Sequence, residues 1–215
     1  MEPITDRVLL VNKPLTWTSF DVVSKLRNKL KIKKIGHAGT LDPLATGLLI
    51  LCTGKMTKRI EEFQNLEKEY TGRFILGQTT PSYDLETEPT EPKDFLGILP
   101  EQIHKTAERF IGDIQQTPPL YSAIKIDGKR AYEYARKGKV KELKSRMVNI
   151  SEFEITSINL PAIEFRVVCS KGTYIRSLAN DVGEALGVGA YLSELCRTRI
   201  GPYKLSDALT VEKIE

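Results

Sequence analysis

Apolar positions along the chain fall into short runs separated by polar, proline-bearing breaks. Arg7 to Asn12 (R-V-L-L-V-N) precedes Lys13-Pro14 and predicts a buried strand. Ser19 is placed to cap a helix in which Val22, Leu26 and Leu30 share one face, with the basic residues on the others. Gly47 to Gly54 is another strand-length apolar run, Lys55 to Asn65 reads as a helix, and Lys68 to Gln78 alternates as a half-buried strand. Thr79 to Gly97, rich in Pro, Thr and acid, reads as a long loop before a helix opened by Pro100 and running to Phe110. Thr117-Pro118-Pro119 breaks the chain. Tyr121 to Asp127 follows as a strand, Asp127-Gly128 as a turn, and Lys129 to Lys137 as a basic helix. Two runs between Arg146 and Ser170 flank Asn159-Leu160-Pro161 like a hairpin. Thr173 to Leu186 reads as a helix stopped by Gly187, and Ala190 to Ile200 as a last strand. Strands and helices mix without regular alternation, so the expected class is α+β: a mainly antiparallel mixed sheet flanked by helices.

Composition narrows the class further. The chain has 215 residues, 40% hydrophobic and 28% charged, which suits a folded globular domain and not a disordered chain. No apolar run approaches the roughly 20 residues that span a bilayer, and Met1 to Arg7 shows no basic-then-apolar leader. Cys52, Cys169 and Cys196 are an odd number without a C-x-x-C pair, so reduced thiols in the cytoplasm are expected. Two histidines, His37 and His104, and no paired cysteines argue against structural zinc. There is no repeat and no linker-like shift in composition.

The net charge of +4 hides a segregated distribution. Lys25 to His37 carries six basic residues and no acid, and Lys125 to Arg146 carries nine basic residues against three acids. Asp84 to Asp113 carries eight acids against three basic residues. Two basic patches suit a face that meets a polyanion; solvated faces of surface helices would read the same way.

Gly47 to Lys55 has the wrong spacing for a nucleotide phosphate loop, and no G-x-G-x-x-G follows a strand. Neither histidine lies near a G-x-S-x-G elbow. The unusual stretch is Gly36 to Gly47, G-H-A-G-T-L-D-P-L-A-T-G. It sets one acid, Asp42, among small residues between two apolar strands. Pro43 biases Asp42 toward an extended backbone, which presents a carboxylate from a loop, while Asp-Pro is also a plain turn initiator.

That segment closely resembles the active-site motif of the bacterial tRNA pseudouridine synthase B (TruB-type) family, G-H-x-G-T-L-D-P-x-A-T-G. Lys13-Pro14 with Trp17-Thr18-Ser19 resembles the family's K-P-x-G-x-T-S, with Thr16 standing where the family usually has Gly. Lys68-Glu69-Tyr70 with Leu76 to Thr80 resembles its tyrosine-bearing strand. Gln116 to Lys125 with Gly128, Arg130-Ala131-Tyr132 and Ala135-Arg136 resembles its RNA-clamping insertion. Cys169 to Leu178, containing K-G-T-Y-I-R, resembles the C-terminal catalytic motif. The motifs run in order from about residue 10 to 200.

The resemblance implies an isomerase that breaks the N-glycosidic bond of a uridine, rotates the base and rejoins it through C5, with no cofactor and no metal. It implies catalytic roles for three residues: Asp42 as nucleophile, Arg176 as the cation that keeps it ionised, and Tyr70 packed against the base. It implies substrate contacts from His37, Tyr174, Leu195 and Asp84, with Lys13 supporting the site's backbone or meeting a phosphate. His104 is expected to be an exposed side chain.

The expected organisation is one catalytic domain, 1–215, with the basic insertion at 117–147 and no separate C-terminal RNA-binding domain. The expected substrate is uridine 55 in the T-loop of tRNA, flipped out of its stack. The partner is the tRNA T-arm, engaged by a monomer without protein partners or membrane. Two other readings share the motifs: a guide-RNA-dependent synthase, and a tRNA-folding chaperone with secondary catalysis.

Overall fold

The first apolar run forms β1 (Val8–Lys13), and α1 (Ser19–Lys29) follows it. The computed structural model describes residues 6–122, 124–126, 128–135, 137 and 143–215. Positions 1–5, Asp127 of the expected turn, and positions 123, 136 and 138–142 of the insertion lie outside them. The chain continues through β2 (Ile35–His37), β3 (Ala45–Thr53), a 3-10 turn, α2 (Ile60–Asn65) and β4 (Lys68–Leu76). After the acidic loop come α3 (Pro100–Glu108), β5 (Gly112–Gln116), β6 (Lys125–Ile126), β7 (Lys129–Arg130) and α4 (Ala131–Ala135). The long hairpin is β8 (Arg146–Asn159) and β9 (Ala162–Cys169). The C-terminal part is α5 (Ile175–Ala185), β10 (Ala190–Ile200), β11 (Tyr203–Lys204) and β12 (Leu209–Thr210).

Four expectations need correction. Thr18, not Ser19, caps α1: its hydroxyl accepts from the Asp21 N–H at 3.0 Å, and Asp21 accepts from the Thr18 N–H at 2.8 Å. The Ser19 hydroxyl is taken by Leu41 instead. Tyr121 and Ser122 are not strand; among the described residues of that stretch only Lys125–Ile126, β6, is strand. The basic helix shrinks to α4 because Lys129 and Arg130 pair with β6. Ala190 to Ile200 is not the last strand, since β11 and β12 follow it.

The fold divides into two compact units, residues 1–71 with 194–215, and residues 72–193; β4 and β10 carry the chain from one to the other. In the first unit the strand order is β12-β1-β3-β10, with β2 on β3 and β11 on β10. β1, β2 and β11 pair antiparallel with their neighbours, while β12 with β1 and β10 with β3 are parallel. β3 is buried on both faces, which is why it reads as a continuous apolar run. Leu49 and Leu51 meet Val22, Val23 and Leu26 of α1, while Leu48, Ile50 and Cys52 meet Phe63 of α2 and Ile200.

In the second unit β8 lies between β5 and β9 and pairs antiparallel with both, and α3 packs on β8. Phe74, Phe165 and Phe153 form its aromatic centre, with adjacent ring centroids 5.6 and 6.0 Å apart. The class is α+β on a mainly antiparallel sheet, as the sequence pattern predicts. No helix among the described residues is long and apolar enough to cross a membrane.

Candidate active site

The expected site residues divide between the two units. Lys13, His37, Asp42, Tyr70 and Leu195 lie in the first unit; Asp84, Tyr174 and Arg176 lie in the second.

In the first unit, β2 and β3 pair antiparallel with His37 opposite Leu51, so the chain reverses between them and carries Asp42 on the reversal. Gly39 sits at φ +103°, in the left-handed region that a side chain resists. The Ala45 N–H donates to the Asp42 carbonyl at 3.0 Å, closing a turn in which Asp42 is half-buried.

Three elements hold this loop. From β1, the Lys13 amine is fully buried and donates to the carbonyls of Pro14 (2.9 Å), Trp17 (2.5 Å) and Pro43 (3.3 Å). The Thr16 N–H donates to the same Pro43 carbonyl at 2.9 Å, from a backbone at φ 70°. From α1, the Ser19 hydroxyl accepts from the Leu41 N–H (2.9 Å) and donates to the Leu41 carbonyl (3.2 Å). From β10, the Arg197 guanidinium donates to the carbonyls of Leu48 (2.7 Å), Gly39 (3.2 Å) and Thr40 (3.5 Å).

The charges follow from this packing. Burial lowers the Lys13 amine to about 8; the Asp42 carboxylate opposes that shift and the Arg197 guanidinium adds to it. His37 is also pushed down, first by burial and then by Arg197, against a hydrogen bond to the Gly39 backbone; its neutral ring is therefore favoured at pH 7. Tyr70 is buried in β4. Leu195 of β10 pairs with Ala45 of β3, and its carbonyl accepts from the Thr46 hydroxyl at 3.4 Å.

In the second unit, Arg176 occupies the first turn of α5 and is buried. It donates to the carbonyls of Ser82 and Tyr121, both at 3.0 Å, and its Nε lies 3.5 Å from Asp84 Oδ2. Asp84 is buried beside it and also accepts from the Glu86 N–H at 3.0 Å. The Gln116 side chain pairs with both main-chain groups of Tyr174, donating to the carbonyl at 3.0 Å and accepting from the N–H at 2.8 Å. The Arg146 guanidinium covers the Tyr174 ring at 4.9 Å and reaches the Gly172 carbonyl. Ser177 Oγ donates to the Thr117 carbonyl at 2.7 Å, so the root of the insertion is tied to α5. His104 is exposed on α3.

Sequence reasoning missed Ser19, Gln116 and Arg197. Nothing local marks Arg197: Arg199, two residues on, is chemically identical and forms an ion pair with Glu67 at 2.7 Å. Position along β10 separates them: Arg197 pairs with Gly47 of β3 and is buried, whereas Arg199 pairs with Lys204 of β11 and is partly exposed.

The first unit thus holds a carboxylate on a clamped, glycine-bounded loop, and the second holds a buried arginine–carboxylate pair. Residues 27–175 match the family described as TruB family pseudouridylate synthase (N terminal domain), and residues 176–215 match the tRNA pseudouridylate synthase B C-terminal domain. These matches define the class as an isomerase that forms pseudouridine. The chain belongs to the TruB family of pseudouridylate synthases.

A tRNA pseudouridine synthase B of Flavobacterium johnsoniae is 54% identical over 221 residues, covering 100% of this chain and 96% of that protein. One of Phocaeicola vulgatus is 57% identical over 211 residues, covering 95% of this chain and 90% of its own. Among solved structures, a crystal structure of a Cbf5-Nop10-Gar1 complex matches with a TM-score of 0.75 at 32% identity, over 95% of this chain and 52% of that one. An H/ACA RNP bound to a substrate RNA containing 2'-deoxyuridine matches with a TM-score of 0.72 at 29% identity, over 95% of this chain and 51% of that one. The chain thus spans about half the length of these structural relatives.

Proposed function

We propose that this enzyme converts uridine 55 in the T-loop of tRNA to pseudouridine, with Asp42 as the nucleophile and the target base flipped out of its stack. The observation that carries the reading is the treatment of Asp42. Its loop is held by Lys13, Ser19 and Arg197 through hydrogen bonds to the main chain, and the residue itself is half-buried. Holding a nucleophile in place before the substrate arrives removes an entropic part of the barrier.

The reaction breaks the bond between C1' of ribose and N1 of the base and forms one from C1' to C5. The proton leaves C5 and N1 gains one, so the product is an isomer. Extruding a stacked uridine costs a few kcal/mol, which contacts to the flipped nucleotide offset. Tyr70 packs against the base, and His37, Tyr174, Leu195 and Asp84 contact the substrate. Arg176 supplies the cation that the carboxylate chemistry requires. The enzyme acts as a monomer through the T-arm, with the basic insertion at 117–147 closing on the phosphate backbone.

The test is tritium release from C5-labelled uridine in a T-arm transcript, with no guide RNA present. The wild type is expected to release tritium and Asp42→Asn to lose the release. Release by Asp42→Asn would overturn the role of Asp42. Tight binding without release by the wild type would favour the chaperone reading, and release only on addition of a guide RNA would favour the guided one.

A further inference from the structure

Arg197 is among the largest fully buried side chains, 1% exposed, in the interior of β10. Taking a guanidinium out of water costs several kcal/mol, and an apolar residue of similar volume would fill the same space at less cost. What the guanidinium does with its donors is specific. Nη2 and Nη1 hold the carbonyls of Gly39 and Thr40, just ahead of Asp42, and Nε holds the carbonyl of Leu48, beyond it. One planar, rigid fork thus grips both limbs of the loop. On the other side Lys13 holds the carbonyl of Pro43, the residue directly after Asp42. Asp42 therefore stands between two carbonyls, Thr40 and Pro43, each held by a buried cation.

We propose that Arg197 is a positioning residue of the reaction, fixing where the Asp42 carboxylate stands by gripping the Gly39, Thr40 and Leu48 carbonyls. This rests on the reading of Asp42 as nucleophile. Arg197 touches no reacting atom; it acts through the loop. A displacement of about 1 Å in a catalytic group is enough to cost about 100-fold in rate.

The experiment compares wild type, Arg197→Gln and Arg197→Lys in tritium release from the T-arm transcript, with kcat and KM measured separately. Arg197→Gln is expected to lose about 100-fold in kcat with KM within about twofold, because binding surfaces are untouched. Arg197→Lys, able to hold only part of the carbonyl set, falls between. A second readout separates positioning from plain stability. Removing the Arg197 charge relieves Lys13 of one of the influences that lower it, so any alkaline limb set by Lys13 moves to higher pH in Arg197→Gln.

Ile50→Val, a core change in β3, serves as the stability control and is expected to keep kcat. Should Arg197→Gln fail to fold, Arg197→Lys carries the same test at temperatures where it is fully folded. A kcat within about threefold of wild type in the folded variants would overturn the proposal. So would a loss that appears only in KM, or one that tracks the folded fraction by circular dichroism. Absence of release by the wild type itself would instead sink the proposed function.

Discussion

Lys13 and Arg197 stand on opposite sides of Gly47, in one row across three strands. Lys13 pairs with Gly47 between β1 and β3, and Gly47 pairs with Arg197 between β3 and β10. Two buried cations are thus brought to either side of the Asp42 loop by strand register. The glycine between them is what lets the strands close: a Cβ there would lie 2.4 Å from the Arg197 carbonyl oxygen, at φ +102°.

Gly47→Ala is therefore expected to destabilise the protein by about 3 kcal/mol or more, combining left-handed strain with overlap against main chain that cannot turn aside. Urea unfolding measures it. A midpoint equal to wild type would mean that β3 and β10 separate at no cost.

The Lys13 amine gives a pH signature with a definite sign. As pH rises through about 8 it becomes neutral, the grip on the Asp42 loop loses one charged donor and the carboxylate loses a nearby positive charge, so kcat/KM is expected to fall. Lys13→Met should lack that limb. Stability moves the other way: between about 8 and the ordinary 10.5 the unfolded chain holds more protons, so this group's contribution rises with pH over that window and is lost as pH falls through 8. Unfolding free energies of wild type minus Lys13→Met across that range check the sign.

Thr16 adopts φ 70°, a conformation that a β-branched residue resists by about 1–2 kcal/mol. Thr16→Gly relieves that strain and adds about 0.4–1 kcal/mol of unfolded-state entropy, leaving a net gain of roughly 0.5–1 kcal/mol. A rise of a few degrees in Tm is expected by calorimetry. A fall would show that the Thr16 side chain makes up for its own strain.

Asp84 and Arg176 are buried together. Asp84→Ala leaves the guanidinium without its carboxylate and is expected to cost about 3–5 kcal/mol. Combining it with Arg176→Met should cost less than the sum of the single changes, as a double-mutant cycle in urea would reveal. Strict additivity would mean that the two charges do not depend on each other.

Lys33 and Lys34 are exposed on the turn between α1 and β2, and the Gly54 N–H donates to the Lys34 carbonyl at 2.8 Å, setting that turn against the 3-10 segment that carries Lys55 and Lys58. If this surface meets phosphates, Lys33→Gln with Lys34→Gln should lower the slope of log K against log salt for the T-arm transcript by about 1–2, near one counterion per charge. Filter binding over a salt series gives the slope; an unchanged one would move the phosphate contacts elsewhere.

Local pattern carried a good part of the fold. β10 runs from Ala190 to Ile200 just as its apolar pattern indicates, and β8 and β9 flank the break at Asn159-Leu160-Pro161. Asp42 also stood out, because an acid ringed by glycines and followed by proline is unusual over a few residues. Local pattern failed where two neighbours were chemically equivalent. Thr18 and Ser19 are both good caps, and the choice fell to Thr18 once Leu41 claimed the Ser19 hydroxyl. Arg197 and Arg199 share one side of β10 and differ in their neighbours along it: Arg197 pairs with Gly47 of β3, Arg199 with Lys204 of β11.

The sequence by itself determined which runs must be buried, since an apolar side chain gains by leaving water whatever covers it, and its periodicity is legible within a short window. The tertiary structure decided which polar groups inside find partners. Those partners lie far away: the Leu48 carbonyl that Arg197 holds is 149 residues off, and the Pro43 carbonyl that Lys13 holds is 30 off. A buried donor must be satisfied by whatever strand register brings beside it, and no short window of sequence contains that information.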